Sequence, residues 1–238
     1  MKIKYKAIYE DMRNRIESGE YQVGDLIPDE LTMCRRFNCS RMTVKKAYDI
    51  LVNEGYIYRR QGQGSFVLSH SLQHEKKIEI QERNLTGFTA GTHGEGQSKI
   101  LRFQLIFATE EIAQHLNIRP NDPVYDILRV RLLDDRPYVI EQTYMPPAVI
   151  PGLTPDILEG SIYDYVENTL GLRIGAAQKT TWADISNEMD RQELWLKEIE
   201  PVLVIEQVAF LDNAIPFEYS ISRHHYDLFR FSVYSVRH

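Results

Sequence analysis

The chain has 238 residues, 43% of them hydrophobic and 26% charged, with a formal net charge of -6. That is enough for two modest domains, and no run of about 18 apolar residues is present to form a membrane-spanning helix. Only Cys34 and Cys39 are available, five residues apart, which excludes a disulfide scaffold and a zinc site built from cysteines alone.

The charge is unevenly spread. Residues 1 to 70 carry 12 Lys and Arg against 9 Asp and Glu, while the remainder carries 16 against 25. The start, MKIKYKAIYEDMRNR, is charged and amphipathic rather than apolar, unlike a secretory signal, so a cytoplasmic protein without a membrane segment is expected. Arg35, Arg36, Arg41, Lys45, Lys46, Arg59 and Arg60 crowd one stretch of the mildly basic part, the pattern of a footprint for phosphates.

Tyr5, Ile8, Tyr9, Met12 and Ile16 recur at helical spacing and Gly19 closes the run, which predicts a first helix from about Tyr5 to Ser18. Asp29 after Pro28 caps a second helix whose Met33, Cys34 and Phe37 point one way. Asn38 suits the left-handed geometry of a tight turn, and Ser40 caps a third helix with Val44, Ala47, Tyr48 and Leu51 as its buried stripe and Gly55 as its stop. Opposite that stripe lie Arg41, Met42, Lys45 and Lys46. Tyr56 to Arg60 and Ser65 to Leu68 read as two strands joined by Gln61-Gly62-Gln63-Gly64. A cationic amphipathic helix taken alone is an ordinary solvated surface helix, but helix, helix, capped cationic helix and Gly-tipped hairpin in that order describe a winged helix-turn-helix.

Residues 5 to 68 resemble the DNA-binding domain of the GntR family of bacterial transcription regulators. The resemblance is carried by Ile27-Pro28-Asp29-Glu30, Phe37, Ser40-Arg41-Met42-Thr43-Val44, Ala47, Leu51, Glu54-Gly55 and Gly62-Gln63-Gly64-Ser65-Phe66-Val67. It implies that Ser40, Arg41, Thr43 and Lys45 meet the operator and that the wing tip, Gly62, Gln63 and Gly64, enters the minor groove. Two departures stand out: Leu31 occupies a position where many members have a DNA-contacting Arg, and Lys45 stands in place of the more usual Arg, whose planar fork reads guanine bidentately. Cys34 and Cys39 fall on small or apolar core positions of the pattern, which favours packing over metal or redox roles.

Residues 69 to about 82 are polar without a persistent apolar period and read as a linker with at most a short strand. Beyond it, Ile100 to Phe107 reads as a strand, Thr109 caps a helix to about Leu116, and Pro123 to Leu133 is a long strand. The turn Asp134 to Pro137 leads into Tyr138 to Tyr144; Ser161 opens a helix ending at Gly171, and three further strands with a helix around Asn187 to Lys197 follow. The strands are expected to pair antiparallel.

Arg129 and Arg131 are two apart on a strand, so both guanidinium groups leave one face, a pair suited to a phosphate or carboxylate. Glu141, across the predicted hairpin, can accept from hydroxyls or an amine of the same ligand. Ser161 stands at a helix start with Tyr163 close behind. The plainer readings are an exposed Arg-x-Arg strand face paired with Glu141, Ser161 as a helix cap, and Tyr163 and Glu218 as rim or core residues.

Residues from about 84 to 238 are similar to the UTRA effector domain of the HutC branch of the same family, a fold resembling chorismate lyase. The matching residues are Leu85-Thr86-Gly87-Phe88-Thr89, Arg129-Val130-Arg131, Pro137 with Glu141, Ser161-Ile162-Tyr163, Pro216-Phe217-Glu218 and Ser222-Arg223-His224. The resemblance implies that Thr86, Gly87, Phe88 and Thr89, the two Arg and Ser161 hold a phosphate while Glu141 and Glu218 hold a sugar. GSIYDYVENTLGLRIGAAQK and SRHHYDLFRF look most like repressors of trehalose and β-glucoside operons.

An enzyme is the first alternative, but no nucleophile elbow, metal-spaced His cluster or Walker loop is present, and the spaced glycines of Gly91 to Gly96 lack a βαβ context. His224 and His225 alternate faces on a strand and are poorly placed to share a metal. A constitutive DNA-binding protein whose large domain only dimerises is the second. The expectation is an α+β protein of two domains, a winged helix-turn-helix at 1–70, a linker at 71–82 and a largely antiparallel effector-binding and dimerisation domain at 83–238. It is expected to need no cofactor or metal, and to be a homodimeric repressor on a pseudo-palindromic operator, released by a phosphorylated sugar or another organic anion.

Overall fold

A computed structural model describes residues 4–68, 78–81, 97–197 and 199–232. Two compact units are present, one centred on the N-terminal helices and one spanning the strand-rich remainder, and each is described by itself.

In the first unit, α1 (Lys4–Glu17), α2 (Glu30–Phe37) and α3 (Arg41–Asn53) enclose a core of Ile8, Met12, Ile16, Met33, Val44, Ala47, Tyr48 and Leu51. Each fully buried side chain of this size contributes roughly 1.5–3 kcal/mol. Cys34, Phe37 and Cys39 pack against that core half-buried. The second helix is capped by Asp29, whose carboxylate accepts from Thr32 N at 2.6 Å. It ends in a left-handed Asn38 (φ 46°), so Asn38 N bonds Arg35 O and Cys39 N bonds Cys34 O, a Schellman-type stop that turns the chain straight into Ser40.

The hairpin β1 (Ile57–Arg60) and β2 (Gly64–Val67) pairs Ile57 with Val67 and Arg60 with Gly64. Leu26 bridges to Phe66 on its other side. Gly64 has φ +109°, and a Cβ there would lie 2.7 Å from Leu26 Cδ1, so only glycine lets the wing close onto the segment before α2.

In the second unit β4 (Gln97–Phe107), β5 (Pro123–Leu133), β6 (Arg136–Met145), β7 (Ile174–Ile185), β8 (Pro201–Leu211) and β9 (Pro216–His225) form one antiparallel sheet in the order β4-β5-β6-β9-β8-β7. A short ladder joins β3 (Ile78–Gln81) to β10 (Phe229–Ser232). One sheet face is covered by α4 (Glu110–Leu116), through Ile112, Ala113 and Leu116 on Val124 and Tyr219, and by Leu194 and Leu196 on Leu128, Val130, Ile140 and Val204. Those two leucines follow α7 (Glu188–Glu193), whose capping box pairs Asn187 with Asp190. Fully buried Asp190 also accepts from Arg223 on β9, 2.9 Å from Nε.

The opposite face is apolar at one end, where Ile127, Met145 and Ala209 pack under α5 (Pro155–Glu159), α6 (Ile162–Asp164) and the π-helical turn Tyr165–Thr169. Its middle is polar. Cross-strand register lines up Arg129, Glu141 and Ser222 in one row, and Thr143, Ser220 and Gln207 in the next.

Most element types agree with the sequence-based expectation, and several bounds move. The strand expected from Ile100 begins at Gln97, and the turn before β6 is confined to Asp134 and Asp135, both with positive φ, so Arg136 and Pro137 already belong to the strand. The helix expected from Asn187 to Lys197 stops at Glu193, ahead of a left-handed Trp195. The stretch from Ser161 to Gly171 is a single α-turn followed by a π-turn rather than one α-helix. The α5 helix and the short β10 strand lie outside the elements read from the sequence.

Candidate nucleic-acid interface and effector site

In the N-terminal unit, Ser40 caps α3: its Oγ accepts from Thr43 N at 3.3 Å and lies 2.9 Å from Thr43 Oγ1. That fixes the first turn from which Arg41 projects. Val44, Ala47, Tyr48 and Leu51 hold the opposite face in the core, and Tyr48 Oη donates to Pro28 O, tying α3 to the segment before α2.

Six of the seven cations singled out in the sequence divide by their partners. Arg36 pairs with Asp11 at 3.1 Å, Arg59 with Asp49 at 2.5 Å, Lys46 lies over the Tyr5 ring at 4.3 Å, and Arg60 stacks over Tyr58 and Phe66. Arg41 and Lys45 are exposed on the same face with no ion-pair partner among the described residues. A cleft of about 850 Å³ opens between Arg41, the start of α2 at Leu31, and the wing residues Gly62, Gln63 and Gly64. Exposed donors on a helix N-terminus beside a Gly-tipped hairpin can take a duplex by the major groove with the hairpin alongside.

In the second unit, Arg129 and Arg131 do share one face, yet neither is the exposed strand residue of the plainer reading: they are 6% and 2% exposed. Arg129 Nη1 donates to Leu158 O at 2.8 Å, and its Nη2 to Glu141 Oε2 at 2.9 Å. Arg131 Nη1 donates to Ser98 Oγ at 2.6 Å and to Gly160 O at 3.1 Å. The two guanidinium groups therefore grip the carbonyls just before Ser161 and set the start of α6 over the sheet. Ser161 Oγ accepts from Asp164 N at 3.2 Å, as a cap does. Burial draws the Arg131 guanidinium down to about 10, against the help of Glu141, which leaves it cationic at neutral pH.

The site continues across β8 and β9. Gln207 Nε2 donates to Glu218 Oε1 at 2.8 Å and to Tyr163 Oη at 3.1 Å, while Ser220 Oγ donates to Glu218 Oε1 at 2.9 Å. Burial raises the Glu218 carboxyl, with the Glu141 charge adding to it and the Ser220 and Gln207 hydrogen bonds working against it. Burial, reinforced by the Glu218 charge, also lifts the Tyr163 phenol well above its ordinary value. Arg129, Arg131, Glu141, Ser161, Tyr163 and Glu218 thus come together around one polar floor. Thr86, Gly87, Phe88 and Thr89 lie outside the described residues. Gln207, Ser220 and Ser222 were missed, though the period of two along β9 from Glu218 places both serines on its face.

The floor offers buried cations at one end and carboxylates and amides at the other. It suits a small ligand that carries an anion on one side and hydroxyls on the other.

Two family profiles match the sequence: bacterial regulatory proteins of the gntR family over residues 4–67, and the UTRA domain over residues 92–230. The chain is 40% identical to the HTH-type transcriptional regulator GmuR of Bacillus subtilis over 235 residues, 98% of this chain and 99% of that relative.

The chain belongs to the GntR family.

This GntR regulator is also 32% identical to the HTH-type transcriptional regulator TreR of Bacillus subtilis, with 98% of each chain covered. Its fold matches the crystal structure of the possible transcriptional regulator YydK from Bacillus subtilis with a TM-score of 0.81 at 28% identity, over 98% of this chain and 99% of that one. The N-terminal unit is the DNA-binding part and the UTRA unit the effector-binding part of a transcription regulator. Among the described residues no helix is long and apolar enough to cross a membrane, and no group of three or more His, Cys, Asp or Glu is placed to hold a metal ion.

Proposed function

We propose that this GntR regulator is a homodimeric, cytoplasmic repressor of a carbohydrate-utilisation operon, without catalytic turnover, and that a phosphorylated sugar releases it from a pseudo-palindromic operator. In this reading Ser40, Arg41, Thr43, Lys45 and the wing tip Gly62 to Gly64 read each half-site, and two-fold symmetry in the protein matches that of the DNA. Arg129, Arg131, Ser161 and the segment Thr86 to Thr89 take the phosphate; Glu141, Glu218 and Tyr163 take the sugar. The domain bounds are those expected from sequence, with 71–82 as linker.

One observation carries the effector class: two arginines buried on a sheet face beside two carboxylates, one of them with a raised pKa. Buried charge is retained at a cost of several kcal/mol per ion unless it is matched, and a dianionic headgroup next to hydroxyls matches this set. The names of the relatives add support. One relative is the mannosyl-D-glycerate transport/metabolism system repressor MngR of Escherichia coli, and another similar protein of known structure is the effector binding domain of the B. subtilis trehalose repressor TreR.

The test is thermal unfolding of the full chain against phosphorylated and unphosphorylated sugars. A ligand at about 100 times its Kd stabilises by roughly 2.7 kcal/mol. A rise in Tm with one phosphorylated compound, absent in Arg129→Ala while operator binding persists, is the expected result. A rise with a non-sugar organic anion instead would keep the regulator and replace the effector class.

A further inference from the structure

Met42 is the second residue of α3 and is 71% exposed. It takes no part in the core that holds the helix down, which runs through Val44, Ala47, Tyr48 and Leu51. On the helical period it stands between the row of Arg41 and Lys45 and the position of Lys46, so an apolar chain occupies the middle of the cationic face. A single exposed methionine elsewhere on a surface needs no explanation. The first turn of this helix is different, because that turn meets base edges when such a helix enters the major groove.

The neighbouring groups leave an apolar contact to be made there. The Ser40 and Thr43 hydroxyls are 2.9 Å apart and bonded to each other, and Ser40 Oγ also holds Thr43 N. Leu31, 45% exposed, opens α2 onto the same cleft as Arg41. In the major groove the apolar group on a base edge is the thymine C5-methyl. An unbranched, polarisable thioether can fold over a methyl group without leaving a buried polar atom unmatched.

We propose that Met42 reads the C5-methyl of one thymine in each operator half-site, which adds an A·T preference to the contacts made by its cationic neighbours. The inference rests on the DNA-binding role of the N-terminal unit.

The experiment starts from an operator selected by the full-length protein out of random duplexes. Each thymine is then replaced in turn by deoxyuridine, which removes the methyl and nothing else. One symmetry-related pair of thymines is expected to be sensitive, with about a fourfold loss of affinity per methyl, what burying one such group is worth. Met42→Ala, and Met42→Gln as a polar chain of similar length, should bind the thymine and deoxyuridine duplexes equally. Two results overturn the proposal: wild-type protein indifferent to every replacement, or a sensitivity that survives unchanged in Met42→Ala. Failure to select any duplex would instead remove the DNA-binding role itself, and this contact with it.

Discussion

Arg41 and Arg129 show how differently one residue type can be used. Arg41 is exposed and without an ion-pair partner among the described residues, so Arg41→Ala should leave the unfolding temperature nearly unchanged. It should cost about 1–3 kcal/mol of operator affinity if the side chain meets a base. Competition binding against single-base operator variants checks it, and unaltered discrimination removes Arg41 from the readout. Arg129 holds Leu158 O and Glu141 through Nη1 and Nη2 while its buried Nε has no partner among the described residues, so its loss touches the pocket wall as well as the ligand. His224 makes a different residue-scale prediction. It is 4% exposed, stacked 4.0 Å from the Phe229 ring, and neither ring nitrogen has a hydrogen-bond partner among the described residues. Burial, with the Lys179 charge, draws it from 6.5 down to about 3. Below pH 6.5 the unfolded chain therefore takes up a proton that the folded chain refuses until about pH 3. The stability His224 provides is complete above 6.5 and falls by about 1.4 kcal/mol per pH unit as the pH drops through that window. Glu218, raised by burial, acts with the opposite sign, losing stability as pH rises from 4.5 through its raised value. Comparing His224→Leu with wild type in urea unfolding between pH 4 and 7 isolates the histidine; identical slopes would mean that the folded protein already binds that proton.

At the scale of elements, α7 is six residues long and too short to persist by itself, so its place depends on what it grips. Asp190 caps its first turn through Asn187 and receives β9 residue Arg223, which also pairs with the more exposed Asp184 at 2.9 Å. Asp190→Ala should destabilise the strand-rich unit by about 2–3 kcal/mol, because it removes a cap and one of the two carboxylates that hold Arg223. Denaturant unfolding with an unchanged m-value and a lowered midpoint is the expected signature. A loss below about 1 kcal/mol would show Arg223 satisfied by Asp184 alone. The same contrast explains how much could be read from the chain. The winged helix was legible because each of its joints is local: Asp29 and Ser40 cap, Asn38 turns, and Gly64 closes the wing on Leu26. Arg129 and Arg131 were legible as co-facial, because alternation on one strand is local too. Their burial was not, since it depends on α5 folding over β5, and α5 is a five-residue element whose sequence carries little period. The link from Gln207 to Tyr163 and Glu218 spans 44 and 11 residues and depends on the register of β8 against β9, including a bulge at Ala209/Phe210. No pattern within β8 announces it.

For the molecule as a whole, the two units can influence each other only through a difference in free energy. If an effector is to loosen the N-terminal unit from DNA, it must bind the DNA-incompetent arrangement more tightly than the competent one. Linkage then requires the operator to weaken effector binding by the same factor, and couplings of this kind are typically worth 1–3 kcal/mol, about 5- to 150-fold. Effector affinity should therefore be measured by calorimetry twice, on the free protein and on the protein saturated with operator duplex, with a scrambled duplex as control. The operator complex should bind effector at least fivefold more weakly, and the scrambled duplex should leave the affinity unchanged. A chain lacking residues 1 to 70 should bind with the affinity of the free protein and be indifferent to either duplex. Equal effector affinity with and without operator would leave both sites intact and uncouple them, and release from DNA would then need a cause other than the ligand in this pocket.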